Sequence, residues 1–464
     1  MDFFKSHLEV TNTQIILYNL IIVAVFIYLF YKYRKSSLSQ YLLFLFTVGA
    51  WGDLGSLFFS GNMLLHVHKV IIVVWSVVLL SRYQFQEKDK RTLLLFLLFF
   101  VYFVFVSIWG HDDNVGLVVS QILKYIIPIM TLFVMDGYVS RYQIRGLITL
   151  NRVFNHIILA QIFFCFAKLI LIQATLEGWV GSLSGIRGGG AGTSFPLLCL
   201  LWLSINTRME ISRKNILYAV GFLFIGLMAG KRAIWFLFPM LYMILLIVYR
   251  MRSAKQLAKY LLPTLILGFI FFYFGLRLSP TLNPEQKVWG SFDPIYAYEY
   301  ALKYSGGTTD DFSETTKIKE GDGRLGAALL FWNQLVNIDE YNFIVLLGQG
   351  NEIIRYYDSN NYFSREANFG VSYRGGITGI VFMYFSIGII GVLLFFIYFI
   401  PILCRIRNGR MRWVAIGIVL FDFVFYNGQI VENYAMQSML FFIVVMMGFK
   451  NINMKQEFVR FIKN

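Results

Sequence analysis

The sequence predicts an all-α polytopic membrane protein: a bundle of about 12–13 transmembrane helices with one large external loop domain. Three observations carry that expectation. Hydrophobic residues make up 58% of the 464 and charged residues only 14%, where a soluble domain holds roughly 25% charged residues. Mean hydropathy is +0.63. Lysine and arginine, 41 in all, concentrate in every second connection between apolar runs.

Thirteen apolar segments can be drawn, at 13–31, 41–59, 63–81, 92–109, 115–135, 150–172, 194–207, 215–229, 233–249, 260–277, 376–403, 413–427 and 433–449. A bilayer crossing takes about 20 apolar residues, so the short runs 194–207 and 215–229 need tilt or their flanks. The first run ends in "YKYRKSS" without a small-residue cleavage pattern, and reads as a retained span rather than a signal peptide. With that basic stretch inside, the alternate connections are 32–35, 82–91, 136–145, 208–214, 250–259, 405–412 and the tail from 450. They hold 24 of the 41 basic residues. The opposite loops near 60–62, 110–114 and 428–432 hold none. Cytoplasmic loops collect Lys and Arg, so the N-terminus is expected outside and the C-terminus in the cytoplasm. The formal charge of +15 is then topological, and no nucleic-acid partner is expected. Cys165, Cys199 and Cys404 lie in or beside apolar runs and imply neither a disulfide framework nor a zinc site.

The expected organisation is a transmembrane bundle over 1–277 (about ten helices), an external loop domain over 278–375, and further transmembrane helices with a cytoplasmic tail over 376–464. Within the loop domain, "RLGAALLFWNQLV" from Arg324 places Leu325, Ala328, Leu329, Trp332, Leu335 and Val336 at helical spacing. That pattern predicts a helix lying on the membrane or capping the bundle. "PIYAYEYALKY" (294–304) predicts a second.

The stretch "GIRGGGAGTSFP" (185–196) resembles a phosphate cradle at first sight, but no Gly-Lys-Ser/Thr follows. It also falls on the external face, out of reach of cytoplasmic nucleotides. A flexible turn into a tightly packed helix is the simpler alternative. Which cations share that face bears on the choice. Arg187 lies among the glycines, beside Gly188 and Gly189. Lys231 and Arg232 sit in "MAGKRAIWF" between two apolar runs. Arg277 opens the loop domain, Arg324 opens its amphipathic helix, and Arg374 precedes the next run in "SYRGGITG". Positive charge at an external boundary runs against the inside rule and needs a reason. Guanidinium groups bind phosphate bidentately and exposed backbone N–H groups form anion nests, so the set suits a diphosphate at the membrane surface. The alternative is that these side chains snorkel or pair with loop carboxylates.

On these residues the chain resembles the superfamily of Wzy-type O-antigen and polysaccharide polymerases and O-antigen ligases. The carriers are Arg187 with Gly188 to Gly190, the "AGKRAIW" turn, "GRLGAALLFW…VLLGQGNEI" (323–353) and "YFSIGIIGVLLFF" (384–396). The resemblance covers roughly 180–405 and implies a GT-C-like helical fold. It also implies transfer of a glycan from undecaprenyl pyrophosphate to an acceptor hydroxyl, without a nucleotide sugar, a cofactor or a metal. By that resemblance Arg232 and Arg324 hold the pyrophosphate and Arg187 assists, with Gly188, Gly189, Lys231, Arg277 and Arg374 as further substrate-binding candidates. The implied partners are the lipid-linked oligosaccharide, the bilayer, a chain-length regulator and a flippase, in a bacterial cytoplasmic membrane. Ligases of the superfamily carry a histidine near the end of the large loop. Here that region reads "REANFGVSYRGGITG", and none of the five histidines (7, 66, 68, 111, 156) lies in the loop. This favours polymerase over ligase and leaves Glu366 or Glu352 as candidate base, either of which is also an ordinary loop carboxylate.

Other ionisable residues stay open. The acids of "HDDN" (111–114) are either a metal-type acidic pair or a solvated turn. Asp53, Lys69, Lys124, Arg152, Lys168, Asp422 and Glu432 lie in or near apolar runs, where ionisable groups are costly. Lys69, Lys168 and Glu432 are near enough to the external face to join a site. Lys124, the deepest, has Asp53 or Asp422 as possible partners, or lines a path for the acceptor. Three rival functions remain: a ligase with another acceptor, a flippase-type transporter, and a non-enzymatic scaffold. Transporters commonly show internal repeats and short loops; no repeat is found here, and the external domain of almost a hundred residues argues against that class.

Overall fold

The computed structural model describes residues 11–47, 49–51, 63–83, 85–109, 115–172, 180–183, 191–229, 231–250, 254–279, 282–287, 289–304, 307–308, 317–318, 323–337, 345–348, 378–426 and 428–449. The described chain is all-α apart from a two-residue antiparallel pairing of Gly307–Thr308 with Lys317–Ile318. Four helical stretches are long and apolar enough to cross a membrane: Asn12–Lys32, Glu87–Ile108, Gln121–Leu171 and Gly379–Cys404. Shorter apolar helices accompany them at Ala191–Thr207, Ile234–Arg250, Gly268–Leu278 and Tyr434–Gly448. This is the architecture expected of an all-α membrane protein.

The helices run in order α1 (Asn12–Lys32), α2 (Ser37–Leu45), α3 (Met63–Tyr83), α4 (Glu87–Trp109), α5 (Val115–Leu171), α6 (Ala191–Thr207), α7 (Arg213–Met228), α8 (Ile234–Arg250) and α9 (Ala254–Leu278). Then follow α10 (Pro294–Tyr304), α11 (Gly323–Val336), α12 (Gly379–Cys404), α13 (Gly409–Leu420), a π-helical turn at Phe421–Phe425, α14 (Gln429–Glu432) and α15 (Tyr434–Gly448). Short polar residues set several starts. Thr11 and Gln14 form a capping box on α1, and Ser36, Ser212, Asn408 and Asn433 cap α2, α7, α13 and α15. These caps explain why α2 and α7 begin before their apolar runs. Helix α6 starts at Ala191, three residues ahead of the run at 194, which lengthens a segment that looked short.

One connection differs from expectation. Segment 136–145 is helical rather than a loop, and the two apolar halves of α5 are joined through Gln143 alone, at φ 52 and ψ −131. A non-glycine residue in that region is strained, and no glycine or turn signal in the sequence marks it.

The basic connections meet at one end of the bundle. Arg405 reaches Asp89 at 2.8 Å and Asp136 at 2.7 Å, and Lys88 adds a second cation on Asp136 at 2.6 Å. Asp89 is fully buried. Arg405 also donates to Thr92 Oγ1, and Arg141 donates to the Arg82 carbonyl. Three connections expected on one face, 82–91, 136–145 and 405–412, are thus tied by charge-assisted bonds. Breaking a buried ion pair by removing one partner costs about 3–5 kcal/mol. Arg405→Met is therefore expected to lower the thermal unfolding midpoint of the detergent-purified protein sharply, and Asp89→Asn added to it should restore part of the loss. An unchanged midpoint in the single variant would remove this cluster as the tie between the connections.

Candidate functional site

At the other end of the bundle lies a cavity of about 480 Å³. It is lined by Lys231 and Arg232 from the α7–α8 hairpin and Arg324 from the first turn of α11. Apolar lining comes from Phe236 of α8, Phe272 and Leu276 of α9, Leu282, and Ala297 of α10. Tyr298, Tyr300 and Tyr426 complete it. Among the described lining residues there is no carboxylate. The adjacent Lys231 and Arg232 and the distant Arg324 are therefore brought to one hollow with apolar lining.

The two guanidinium groups are seated on aromatic rings. Arg232 lies 5.0 Å over Tyr300 and Arg324 lies 4.6 Å over Tyr426, within cation–π range. Stacking engages the face of the guanidinium and leaves its in-plane donor geometry intact. Arg324 also sits in the first turn of a helix, where the dipole is positive. An anion in the cavity would complement both the dipole and the side chain.

The glycine-rich segment connects to this lining. Residues 184–190, with Arg187, Gly188 and Gly189, lie outside the described residues, but the helix they enter starts at Ala191. A Cβ on Gly192 would run into Ala229 and press on the Lys231 side chain. The next residue, Thr193, donates through Oγ1 to the Tyr426 hydroxyl at 3.2 Å. The first turn of α6 therefore packs directly behind two cavity residues. Glu366, Glu352 and Arg374 also lie outside the described residues, as do Asp53 and the "HDDN" turn.

Arg277 is placed differently. It stacks on Trp289 at 4.4 Å, donates through Nε to the Gly290 carbonyl at 2.8 Å and through Nη1 to the Tyr273 hydroxyl at 2.6 Å. It does not line the cavity. Its bonds close the turn that follows α9, whose centre is the fully buried Asn283. Nearby, Ser291 donates from both its backbone N–H and its hydroxyl to Glu285, which holds that carboxyl below its usual range.

The ionisable residues inside the bundle have structural partners. Lys124 pairs with Glu432 at 2.6 Å, not with Asp422. Asp422 instead accepts from Ser194 Oγ at 2.7 Å and from the Ile430 N–H at 2.6 Å. The π turn at Phe421–Phe425 puts it on a buried face, as such turns do at strained or functional positions. Lys168, fully buried, donates to the Met228 carbonyl at the C-terminal end of α7, where a cation is favoured. Lys69 is buried beside His68, whose ring packs 4.3 Å from Phe44. A larger cavity of about 610 Å³ lies at the basic end, lined by Lys88, Asp136, Gln143 and Arg405. Its cations Lys88 and Arg405 are matched by Asp136 and Asp89.

Tyr300, Tyr426 and Thr193 were not candidates from sequence, since no local pattern announces an aromatic seat for a distant arginine. Gly192→Val should disturb the cavity lining at Lys231 because no side chain fits there. The expected outcome is a membrane-inserted protein with a lowered unfolding midpoint and no gain from conservative changes at Lys231. A midpoint equal to the parent's would show that α6 does not pack against the hairpin this closely.

The chain matches no family model, no curated protein and no solved structure.

Proposed function

We propose that the protein is a polymerase of surface-polysaccharide repeat units (O-antigen, capsule or exopolysaccharide) in a bacterial cytoplasmic membrane. On this reading it is a GT-C-like glycosyltransferase of about 12–13 spans with its N-terminus outside, its C-terminus in the cytoplasm and residues 278–375 as an external domain. It moves the growing glycan from undecaprenyl pyrophosphate onto a lipid-linked repeat unit at the outer leaflet. A chain-length regulator and a flippase are its expected partners.

The observation that carries the reading is the cavity, lined by Lys231, Arg232 and Arg324 together with Phe236, Phe272, Leu276 and Leu282. A diphosphate needs concentrated positive charge, and arginine meets it with paired donors. A prenyl chain needs apolar surface beside that charge. An anionic amphiphile suits both kinds of lining.

The chemistry follows from those roles. The hydroxyl of the incoming sugar attacks the anomeric carbon of the donor glycan. The bond from that carbon to the diphosphate oxygen breaks, and the hydroxyl proton passes to a base, for which Glu366 is the candidate. Arg232 and Arg324 neutralise charge developing on the departing diphosphate, and Lys231 adds a third cation. Pre-positioned electrostatic donors of this kind are worth about 10²–10³ in rate each. The mechanism calls on no metal.

Arg324→Ala and Arg232→Ala are each expected to cut polymer formation by about 10²–10³-fold at unchanged protein level. Lysine at either position should recover only part, as a point charge without the paired donors. Normal polymer from both alanine variants would sink the pyrophosphate assignment. The class is read from a deletion strain by the length distribution of its surface glycan. Single repeat units on the final acceptor mean a polymerase. Full-length polymer stranded on the lipid carrier means a ligase, and single units trapped on the cytoplasmic side mean a transporter.

A further inference from the structure

Helix α11 (Gly323–Val336) leaves an apolar stripe outside the protein. Leu325, Leu329, Trp332 and Val336 are 45%, 38%, 60% and 62% exposed, and Ala328 is exposed with them. At 3.6 residues per turn these five fall within an arc of about 100°. The opposite face holds Gly326, Ala327 and Gln334, all buried, with Leu330, Phe331 and Leu335 partly buried against the core. The helix packs on α12: Phe331 meets the Tyr384 ring at 4.4 Å, edge to face, and the Tyr384 hydroxyl donates to Gln334 Oε1 at 3.2 Å. One apolar side is therefore satisfied by the bundle, and a second is left outward. In water this orientation would waste apolar burial.

The height of the contact says what lies outside. Helices α4 and α12 run antiparallel, joined at one end by the Asp89–Arg405 pair. Further along, the Tyr102 hydroxyl donates to the Ile387 carbonyl at 3.0 Å. Tyr384 is three residues from Ile387, about 4.5 Å further toward the cavity end. On α4 the matching rise from Tyr102 reaches Phe105, and another turn reaches Ile108. Those two are 49% and 71% exposed. A long apolar helix still presents Ile108 largely exposed beyond the height where α11 docks, so the surroundings there are apolar too. Tryptophan at such a level is the usual residue of the membrane–water interface.

We infer that α11 is an interfacial helix whose Leu325, Ala328, Leu329, Trp332 and Val336 face is seated in the bilayer interface, with lipid as its partner. This seat fixes the height of Arg324, one residue before the stripe begins, against the membrane surface. It holds whatever the substrate of the cavity proves to be. Amphipathic helices of this kind bury their apolar face some 5–10 Å into the headgroup boundary.

The test uses spin labels on the full-length protein in nanodiscs of phosphatidylethanolamine and phosphatidylglycerol. Cys165 and Cys199 are buried, and Cys404, the exposed one, is replaced by serine. Labels are then placed at Leu329→Cys and, separately, at Trp332→Cys, both surface positions. Seating in lipid is expected to give collision rates with oxygen severalfold above those with a water-soluble nickel chelate at both sites. High rates with the chelate would mean that the face is in water, and would overturn the inference. Low rates with both quenchers would mean a protein partner or a second copy covers the face, and would overturn it equally.

Discussion

A charge inside an apolar bundle must be matched, because desolvation is paid whether or not a partner is present. That constraint arranges this molecule. At one end the matching is by carboxylates: Arg405 and Lys88 with Asp89 and Asp136. Between the ends, Lys124 is matched by Glu432 and Lys168 by a helix-terminal carbonyl. At the cavity it is of another kind, because Arg232 and Arg324 rest on tyrosine rings. An aromatic ring steadies a cation without neutralising it.

Close backbone approach is the second device, and it depends on glycine at few points. Gly348 (φ 78) and Gly388 (φ 64) meet so tightly that a Cβ on either would collide with the other's backbone. Gly388 breaks α12, at ψ −178, and the segment 345–348 inserts at the break. The Tyr102 hydroxyl lies within bonding distance of the carbonyls of Ile387 and Leu346 there. A broken helix inside apolar surroundings leaves backbone groups that need partners, and Tyr102 supplies one at the Ile387 carbonyl. The same insertion anchors the chain that follows α11 into the bundle, so the helix bearing Arg324 is held from both of its ends: by Tyr426 near its start and by this junction beyond its end.

Much of this was legible in the sequence because hydropathy is a local signal. Apolar runs gave the helices, and the spacing of Lys and Arg grouped connections 82–91, 136–145 and 405–412, which the Arg405 cluster joins. Arg232 and Arg324 were singled out as cations in the wrong place, and they do share a cavity. What was not legible is long-range. Lys124 and Glu432 are 308 residues apart, and nothing near either residue names the other. The role of Tyr426 depends on a stacking contact across the fold. Gln143 is not a residue type that announces a positive φ, although Gly146 just beyond it lets the chain approach Tyr138 and Val139 closely. Arg277 shared the charge argument with its neighbours but is used by its own turn, a distinction that depends on where Trp289 and Gly290 fall.

The apolar face of α11 shows where such reading stops in principle. Periodicity identified Leu325, Ala328, Leu329, Trp332, Leu335 and Val336 as one face; five of them are exposed together, and Leu335 is partly buried against the core. A period says which residues lie together, not which neighbour they meet, because a protein core and a lipid interface ask for the same side chains. The discriminating residues were on the other side. Gly326 and Ala327 permit close approach to α12, and Gln334 finds a hydroxyl there. Small residues and a hydrogen-bonding group mark helix–helix contacts in membranes, where apolar burial between helices drives little. On α11 the hydrogen-bonding group, Gln334, sits on the side that touches protein, and the outward stripe has none.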